Sequence, residues 1–157
     1  MDTYKTVVIM LVEDDLGDQK LIRMSLREQR IANTPIAATS AEEAINYLMR
    51  NKTSEIAPMP DLILLDLNMP GMGGKEFLRR IKSDPDLMTI PVVILTTSDS
   101  DKDILESFKL QAAGYIKKPV SITDFQDVMR TLTDYWFTIC RHINYEPDRQ
   151  VSKCSDC

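Results

Sequence analysis

Residues 62–65 read Leu62-Ile63-Leu64-Leu65, an unbroken run of branched apolar residues that ends directly at Asp66. Two more runs have the same character, Val7 to Val12 and Val92 to Leu95. A strand covered by helices on both faces has this composition, whereas a strand with one wet face alternates apolar and polar residues. The three runs therefore predict the central strands of a buried sheet.

Weaker strand candidates and helical segments complete the pattern. Pro35 to Ala38 and Gly114 to Ile116 are shorter strand candidates, and segments with helical spacing of apolar residues separate the strands. Ser40, Ser100 and Ser121 stand where a serine caps the second, fourth and fifth of these helices. Five strands that alternate with five helices predict an α/β fold, a doubly wound five-stranded parallel sheet with helices on both faces.

The composition bounds the class of protein. The 157 residues suffice for one domain with a short extension, and 43% apolar residues indicate a folded rather than a disordered chain. A net charge of −5 argues against binding to phosphate backbones, so we expect no nucleic acid partner. The run Val7 to Val12 is too short to span a bilayer, so we expect no membrane partner and a cytoplasmic location.

Polar side chains stand at the carboxyl ends of the predicted strands, the edge where ligands bind in parallel sheets. Glu13-Asp14-Asp15 follows the first strand, Asp66 the third, Thr96 the fourth and Lys117-Lys118-Pro119 the fifth. Carboxylates that meet from two strands cannot all stay ionised unless a cation joins them. Mg²⁺ binds a few carboxylates together with waters and phosphate oxygens, and a lysine opposite would face those oxygens. The pattern predicts a phosphoryl-transfer site with an aspartate nucleophile.

Four motifs in this order and spacing resemble the receiver domains of two-component response regulators. The resemblance runs from about Lys5 to Trp136 and implies a flavodoxin-like fold with strand order 2-1-3-4-5. Apolar residues that continue to Ile143 predict that the fifth helix is extended beyond the length that a receiver needs. We expect a receiver domain over residues 4–143 and a polar, flexible tail over residues 144–157. The motifs are Val12-Glu13-Asp14-Asp15, Leu64 to Pro70 with Met72 and Gly74, Pro91-Val92 leading to Thr96, and Gly114 to Pro119.

The resemblance implies a chemical role for several of these residues. Asp66 resembles the aspartate that accepts a phosphoryl group from a sensor histidine kinase, and Lys118 the lysine that pairs with it and then with the phosphoryl group. Thr96 resembles the switch hydroxyl that moves toward the phosphoryl group, and Tyr115 the aromatic residue whose rotamer follows. The family also implies a cis peptide bond before Pro119, which an X–Pro bond permits.

The cofactor that the resemblance implies is Mg²⁺. Its implied ligands are the carboxylates of Asp14 and Asp66 and the backbone carbonyl of Asn68, with Glu13 holding a metal-bound water. A member of this family is a phospho-acceptor rather than an enzyme, although it promotes its own phosphorylation and dephosphorylation. It signals through protein contacts that depend on phosphorylation.

Apolar residues continue past the length that a receiver needs and predict a contact surface on the fifth helix. We expect a homodimer there, and the Tyr-Trp pair in this segment is similar to regulators that serve bacterial phytochrome kinases. A phytochrome is therefore a candidate kinase. The predicted interface residues are Tyr135, Trp136, Phe137 and Ile139.

Three alternatives stay open at this stage. The chain could be a docking module with a receiver fold that never meets phosphate. It could be an aspartyl-phosphate phosphatase, although that class has an acid where Asn68 stands. Cys140, His142, Cys154 and Cys157 could form a zinc site, although an acidic tail also explains them.

The end of the fourth helix departs from the family pattern. Gln111 and Ala112 stand where a glycine commonly ends the fourth helix. A residue with a side chain disfavours the left-handed conformation of such a cap, so we expect an unusual end to this helix.

Overall fold

A computed structural model describes residues 8–28, 35–54 and 56–135 of the chain. Strands and helices alternate throughout this part. The elements are β1 (Ile9–Val12), α1 (Leu16–Glu28), β2 (Ile36–Ala38), α2 (Ala41–Asn51), β3 (Leu62–Leu65), α3 (Gly73–Ser83), β4 (Val92–Thr96), α4 (Asp101–Lys109), β5 (Gly114–Lys117) and α5 (Ile122–Asp134).

The five strands form one parallel sheet in the order β2-β1-β3-β4-β5. The predicted doubly wound fold is therefore confirmed. Val12 pairs with Leu65, and Leu65 pairs with Ile94, so the three central strands end side by side. This register brings the polar residues that follow these strands to one edge of the sheet.

Two apolar layers cover the sheet, because successive residues of a strand point to opposite faces. Met10 and Val12 face one layer, which α2 and α3 complete with residues such as Phe77. Ile9 and Leu11 face the other layer, which α1 and α5 complete with residues such as Phe125. The central strands are apolar at every position because the side chains on each of their two faces pack into an apolar layer.

Serine caps begin three helices, as the sequence predicts. The hydroxyls of Ser40, Ser100 and Ser121 each accept a hydrogen bond from the backbone N–H three residues later. The carboxylate of Glu43 accepts from the N–H and the hydroxyl of Thr39, one residue before the cap. This contact adds a second polar anchor at the start of α2.

Two details differ from the sequence-based expectations. Every peptide bond among the described residues is trans, including the one before Pro119. Trans is the lower-energy isomer of X–Pro by about 0.5–1 kcal/mol, so the cis expectation is wrong for this structure. Helix α4 ends in the usual manner, because Gln111 adopts the left-handed conformation at φ 68° despite its side chain.

The fifth helix is described up to Asp134, and its predicted extension to Ile143 lies outside the described residues. None of the described helices combines the length and the apolar content that crossing a membrane requires.

Candidate functional site

Three carboxylates meet at the carboxyl edge of the sheet. One oxygen from each of Glu13, Asp14 and Asp66 lies within 4.8 Å of the others. Backbone hydrogen bonds fix two of these residues, since Glu13 N–H donates to the Ala38 carbonyl and Asp66 N–H to the Val12 carbonyl, each at 3.0 Å. The strand register therefore builds the acidic cluster that the sequence predicts.

Lys118 contacts this cluster from β5. Its backbone N–H donates to the Thr96 carbonyl at 2.7 Å, which continues the β4–β5 pairing past the last strand residue. Its ammonium donates to Glu13, to Asp18 at 2.9 Å and to Asp66 at 3.3 Å. The side chains of Lys118, Glu13 and Asp66 are all buried.

Burial and neighbouring charges shift the pKa values of Glu13, Asp66 and Lys118. Burial, followed by the neighbouring Asp66 carboxylate, raises the pKa of Glu13 to about 8. Burial opposes ionisation of Asp66 too, but hydrogen bonds from Glu13 and Thr96 and the charge of Lys118 hold its pKa below the ordinary value. The pKa of Lys118 is raised despite burial, because Glu13 and Asp18 accept its hydrogen bonds. These opposite shifts favour the negative charge on Asp66 over Glu13.

The predicted switch residues form a connected set. Asn68 N–H donates to the Asp66 carboxylate at 3.2 Å, and the Asn68 side-chain amide donates to the Thr96 hydroxyl at 3.4 Å. Thr96 is fully buried. Two residues on, the Ser98 carbonyl accepts a hydrogen bond from the Tyr115 hydroxyl at 2.8 Å. Thr96 and Tyr115 are thus linked through the loop that leaves β4.

The loop between β3 and α3 is held close to the acidic cluster. Gly74 N–H donates to the Leu67 carbonyl at 3.1 Å, and a Cβ at Gly74 would lie 2.4 Å from the Asp66 carbonyl oxygen. Helix α3 can begin this close to Asp66 only because residue 74 has no side chain. On the far side of the loop, the Glu42 carboxylate accepts from Met72 N–H at 2.6 Å.

Sequence reasoning missed Asp18, whose carboxylate contacts Lys118 from the first turn of α1. Its position three residues after a potential capping residue, Asp15, was a usable signal. Of the predicted interface residues, Tyr135 directly follows α5 and is 51% exposed. Trp136, Phe137 and Ile139 lie outside the described residues, as do the four candidate zinc ligands.

This arrangement suits phosphoryl transfer to a carboxylate. The Asp66 carboxylate has an oxygen that can act as a nucleophile, the Lys118 ammonium donates a hydrogen bond beside it, and the acidic cluster offers oxygen ligands to a hard cation.

The fold and this site define a receiver domain. The model of the response regulator receiver domain family matches residues 9–130, and the chain belongs to that family. Members signal through phosphorylation and partner with sensor histidine kinases, so the chain is a signalling protein.

The most informative relatives are two cyanobacterial regulators. Response regulator Rcp1 of Synechocystis sp. is 36% identical over 129 residues, which cover 82% of this chain and 88% of Rcp1. The crystal structure of the phosphorylated cyanobacterial phytochrome response regulator RcpA has a TM-score of 0.83 at 34% identity and covers 89% of this chain and 100% of RcpA. The Mn²⁺-bound form of Rcp1 has a TM-score of 0.78 at 34% identity, over 87% of this chain and 98% of Rcp1.

Proposed function

We propose that this response regulator accepts a phosphoryl group on Asp66 from a phosphohistidine of a sensor histidine kinase. The observation that carries the proposal is the Asp66 carboxylate 3.3 Å from the Lys118 ammonium, in a cluster with Glu13 and Asp14. Receiver domains use phosphorylation to signal, and the solved structure of RcpA is that of a phosphorylated regulator.

The transfer is an in-line displacement at phosphorus. An oxygen of Asp66 attacks and forms a P–O bond, while the P–N bond to the histidine breaks and its electron pair stays on nitrogen. Lys118 donates hydrogen bonds to the phosphoryl oxygens, over which the negative charge is spread in the transition state. Positioning of the reactants and electrostatic stabilisation accelerate the transfer. The chain therefore promotes its own phosphorylation without being an enzyme for other substrates.

A divalent cation fits the acidic cluster. Among the described residues, the one buried side-chain oxygen or nitrogen without a hydrogen-bond partner is Oε2 of Glu13. Burial and the neighbouring Asp66 carboxylate raise the pKa of Glu13, and a cation nearby would offset the charge of its carboxylate. We propose Mg²⁺, held by Asp14, Asp66 and the Asn68 carbonyl, with Glu13 contacting a bound water. The relative Rcp1 has a Mn²⁺-bound form, which supports a divalent ion. When bound, such an ion offsets charge on the phosphoryl oxygens.

The signal leaves through the loop after β4. An acyl phosphate adds about −1.5 to −2 charge beside Thr96, whose hydroxyl becomes a donor to it. Movement of Thr96 shifts the Ser98 carbonyl that anchors the Tyr115 hydroxyl. Helix α4 follows directly and buries Ser107 alone among its own residues, so a small change at its start can displace it.

The partners we propose are a sensor kinase of the phytochrome type and a second copy of this chain. The phytochrome assignment is supported by the likeness to RcpA. The homodimer is supported by a groove of about 440 Å³ that Tyr135 lines just after α5, together with apolar residues that include Ile116, Val128 and Leu132. The dimer interface would comprise Tyr135 with Trp136, Phe137 and Ile139. We place the receiver domain at residues 4–143 and the tail at 144–157.

Phosphorylation is tested by incubating the full chain with Mg²⁺ and acetyl phosphate and measuring its intact mass. We expect the gain of one phosphoryl group, lost in Asp66→Asn and retained in Asp86→Asn, a matched change at an exposed site. No adduct in the wild type under any condition would favour the docking module. Continuous release of phosphate from many substrates would favour a phosphatase.

A further inference from the structure

The first turn of α1 directs one carboxylate toward the site. Asp15 caps this helix, since its Oδ1 accepts from Asp18 N–H at 2.8 Å and its carbonyl accepts from Gln19 N–H at 2.9 Å. The backbone of Asp18 is thereby fixed three residues into the helix. Its side chain reaches across to β5, where Oδ2 lies 2.9 Å from the Lys118 ammonium.

Three carboxylates share the Lys118 ammonium, and they are not equivalent. Glu13 and Asp66 belong to the acidic cluster that fits a cation, whereas Asp18 stands outside that cluster. Asp18 is also the most accessible of the three, with a side chain 39% exposed against 1% for Glu13 and 9% for Asp66. The ammonium nitrogen is nearer to Asp18 than to the nucleophile, at 2.9 Å against 3.3 Å. Asp18 therefore holds Lys118 on the outer side of the site.

We infer that Asp18 is a positioning residue that retains the Lys118 ammonium at the mouth of the phosphorylation site. The inference rests on the proposed function, which makes Asp66 the nucleophile. Asp18 stands outside the cluster of Glu13, Asp14 and Asp66, and it acts on the Asp66 carboxylate through Lys118.

The effect of losing Asp18 follows from the partners that would remain. Glu13 and Asp66 both lie deeper than Asp18, so the ammonium, already bonded to Glu13, would move toward Asp66, which lies 3.3 Å away. A closer ion pair shields the Asp66 oxygen that must attack phosphorus, and it removes the amine from the place where phosphoryl oxygens arrive. We expect roughly tenfold slower phosphorylation, less than the 10²-fold that misplacing a reacting group by 1 Å costs.

The test compares the initial rates at which full-length variants are phosphorylated by acetyl phosphate with saturating Mg²⁺. Asp18→Ala should be slower by about tenfold, whereas Asp18→Asn should stay within about threefold of the wild type, because an amide oxygen still accepts from the ammonium. Asp124→Ala is the matched control and should leave the rate unchanged. Asp124 occupies the same turn of α5, where its N–H is bonded to the capping residue Ser121.

Two further measurements separate positioning from a general structural effect. In a Lys118→Ala background, adding Asp18→Ala should not slow the reaction further, because its route of action is gone. The affinity for Mg²⁺, measured by calorimetry, should change less than about twofold in Asp18→Ala, since Asp18 lies outside the cluster.

The outcomes that overturn the inference are distinct from those that overturn the function. Phosphorylation of Asp18→Ala at the wild-type rate overturns the positioning role alone. So does a double variant that is slower than Lys118→Ala by the same factor by which Asp18→Ala is slower than the wild type. A loss of Mg²⁺ affinity that accounts for the slower rate does so as well. A wild type that takes up no phosphoryl group overturns the proposed function and this inference with it.

Discussion

The Lys75 ammonium on α3 donates a hydrogen bond to the Asp103 carboxylate on α4, with 2.5 Å between Nζ and Oδ1. The same ammonium lies 2.5 Å from Oε2 of Glu106, one turn further along α4. The second oxygen of Asp103 accepts from the Ser98 hydroxyl, also at 2.5 Å. Asp103 thus joins α4 to α3 and to the loop that follows Thr96, the predicted switch residue. Because Ser107 is the buried residue of α4, these polar contacts are a large part of what holds the helix.

Replacing Lys75 with methionine should loosen α4 while preserving the stem of the side chain. Partly exposed ion pairs contribute about 0.2–1 kcal/mol each, so we expect the free energy of unfolding to fall by about 1 kcal/mol. Hydrogen exchange of the α4 amides should accelerate more than that of α3. Lys102→Met is the control, since Lys102 is 80% exposed and its nitrogen lies 3.9 Å from Glu106. Equal effects of the two substitutions on α4 exchange would contradict the prediction.

The Asp103 contacts should make stability depend on pH in a defined window. Hydrogen bonds from Lys75 and Ser98 lower the pKa of Asp103 to about 2. The folded pKa lies below the unfolded one of about 3.9, so the ionised form stabilises the fold above that value, and the contribution is lost as the pH falls through 2. In urea unfolding, the stability difference between wild type and Asp103→Asn should be constant from about pH 7 to pH 5 and shrink between about pH 4 and pH 2. A difference that stays constant down to about pH 3 would refute the assignment.

Much of the fold could be predicted because each central strand must satisfy two apolar layers at once. Leu62 to Leu65 is apolar at every position for this reason, and the crossovers that parallel strands require predict helices on both faces. The strand order, which the structure confirms, was implied by the family resemblance. The edge cluster was predictable too, since the register of parallel strands places Glu13 and Asp66 together. The roles assigned to these residues remain predictions.

The contacts made by helices could not be predicted in the same way. Asp18 and Lys75 meet their partners because α1 and α3 lie at particular angles to the sheet, and no periodicity in the sequence encodes those angles. The isomer before Pro119 is another case, since an energy difference of about 0.5–1 kcal/mol leaves it to tertiary context.

Gly74→Ala should disrupt the site through the backbone. The new Cβ would lie 2.4 Å from the Asp66 carbonyl oxygen and 2.7 Å from Cα of Leu67, and neither backbone atom can rotate away. We expect a loss of about 1–3 kcal/mol in unfolding free energy and slower phosphorylation, because relief of the clash displaces Asp66. Gly114→Ala is the matched control, with its nearest contacts at 3.7 and 3.8 Å to the Val93 side chain. Urea unfolding of both variants checks the prediction, and an equally small loss in each would contradict it.

Gln111→Gly should stabilise the protein by removing an unfavourable backbone conformation. Gln111 has φ 68°, and the bonds of Gln111 N–H to the Phe108 carbonyl and Ala112 N–H to the Ser107 carbonyl, both 3.0 Å, form the pattern in which helices favour glycine. A left-handed residue with a side chain costs about 1–2 kcal/mol, of which the greater unfolded entropy of glycine offsets about half. We expect thermal and urea unfolding to show a gain of about 0.5–1 kcal/mol for Gln111→Gly and none for Gln111→Ala, which keeps the Cβ. Equal stability of the glycine and alanine variants would contradict the prediction, because the two differ only in the Cβ atom. A gain confined to glycine would show that the helix end is set by backbone hydrogen bonds strong enough to impose this conformation on an unsuitable residue.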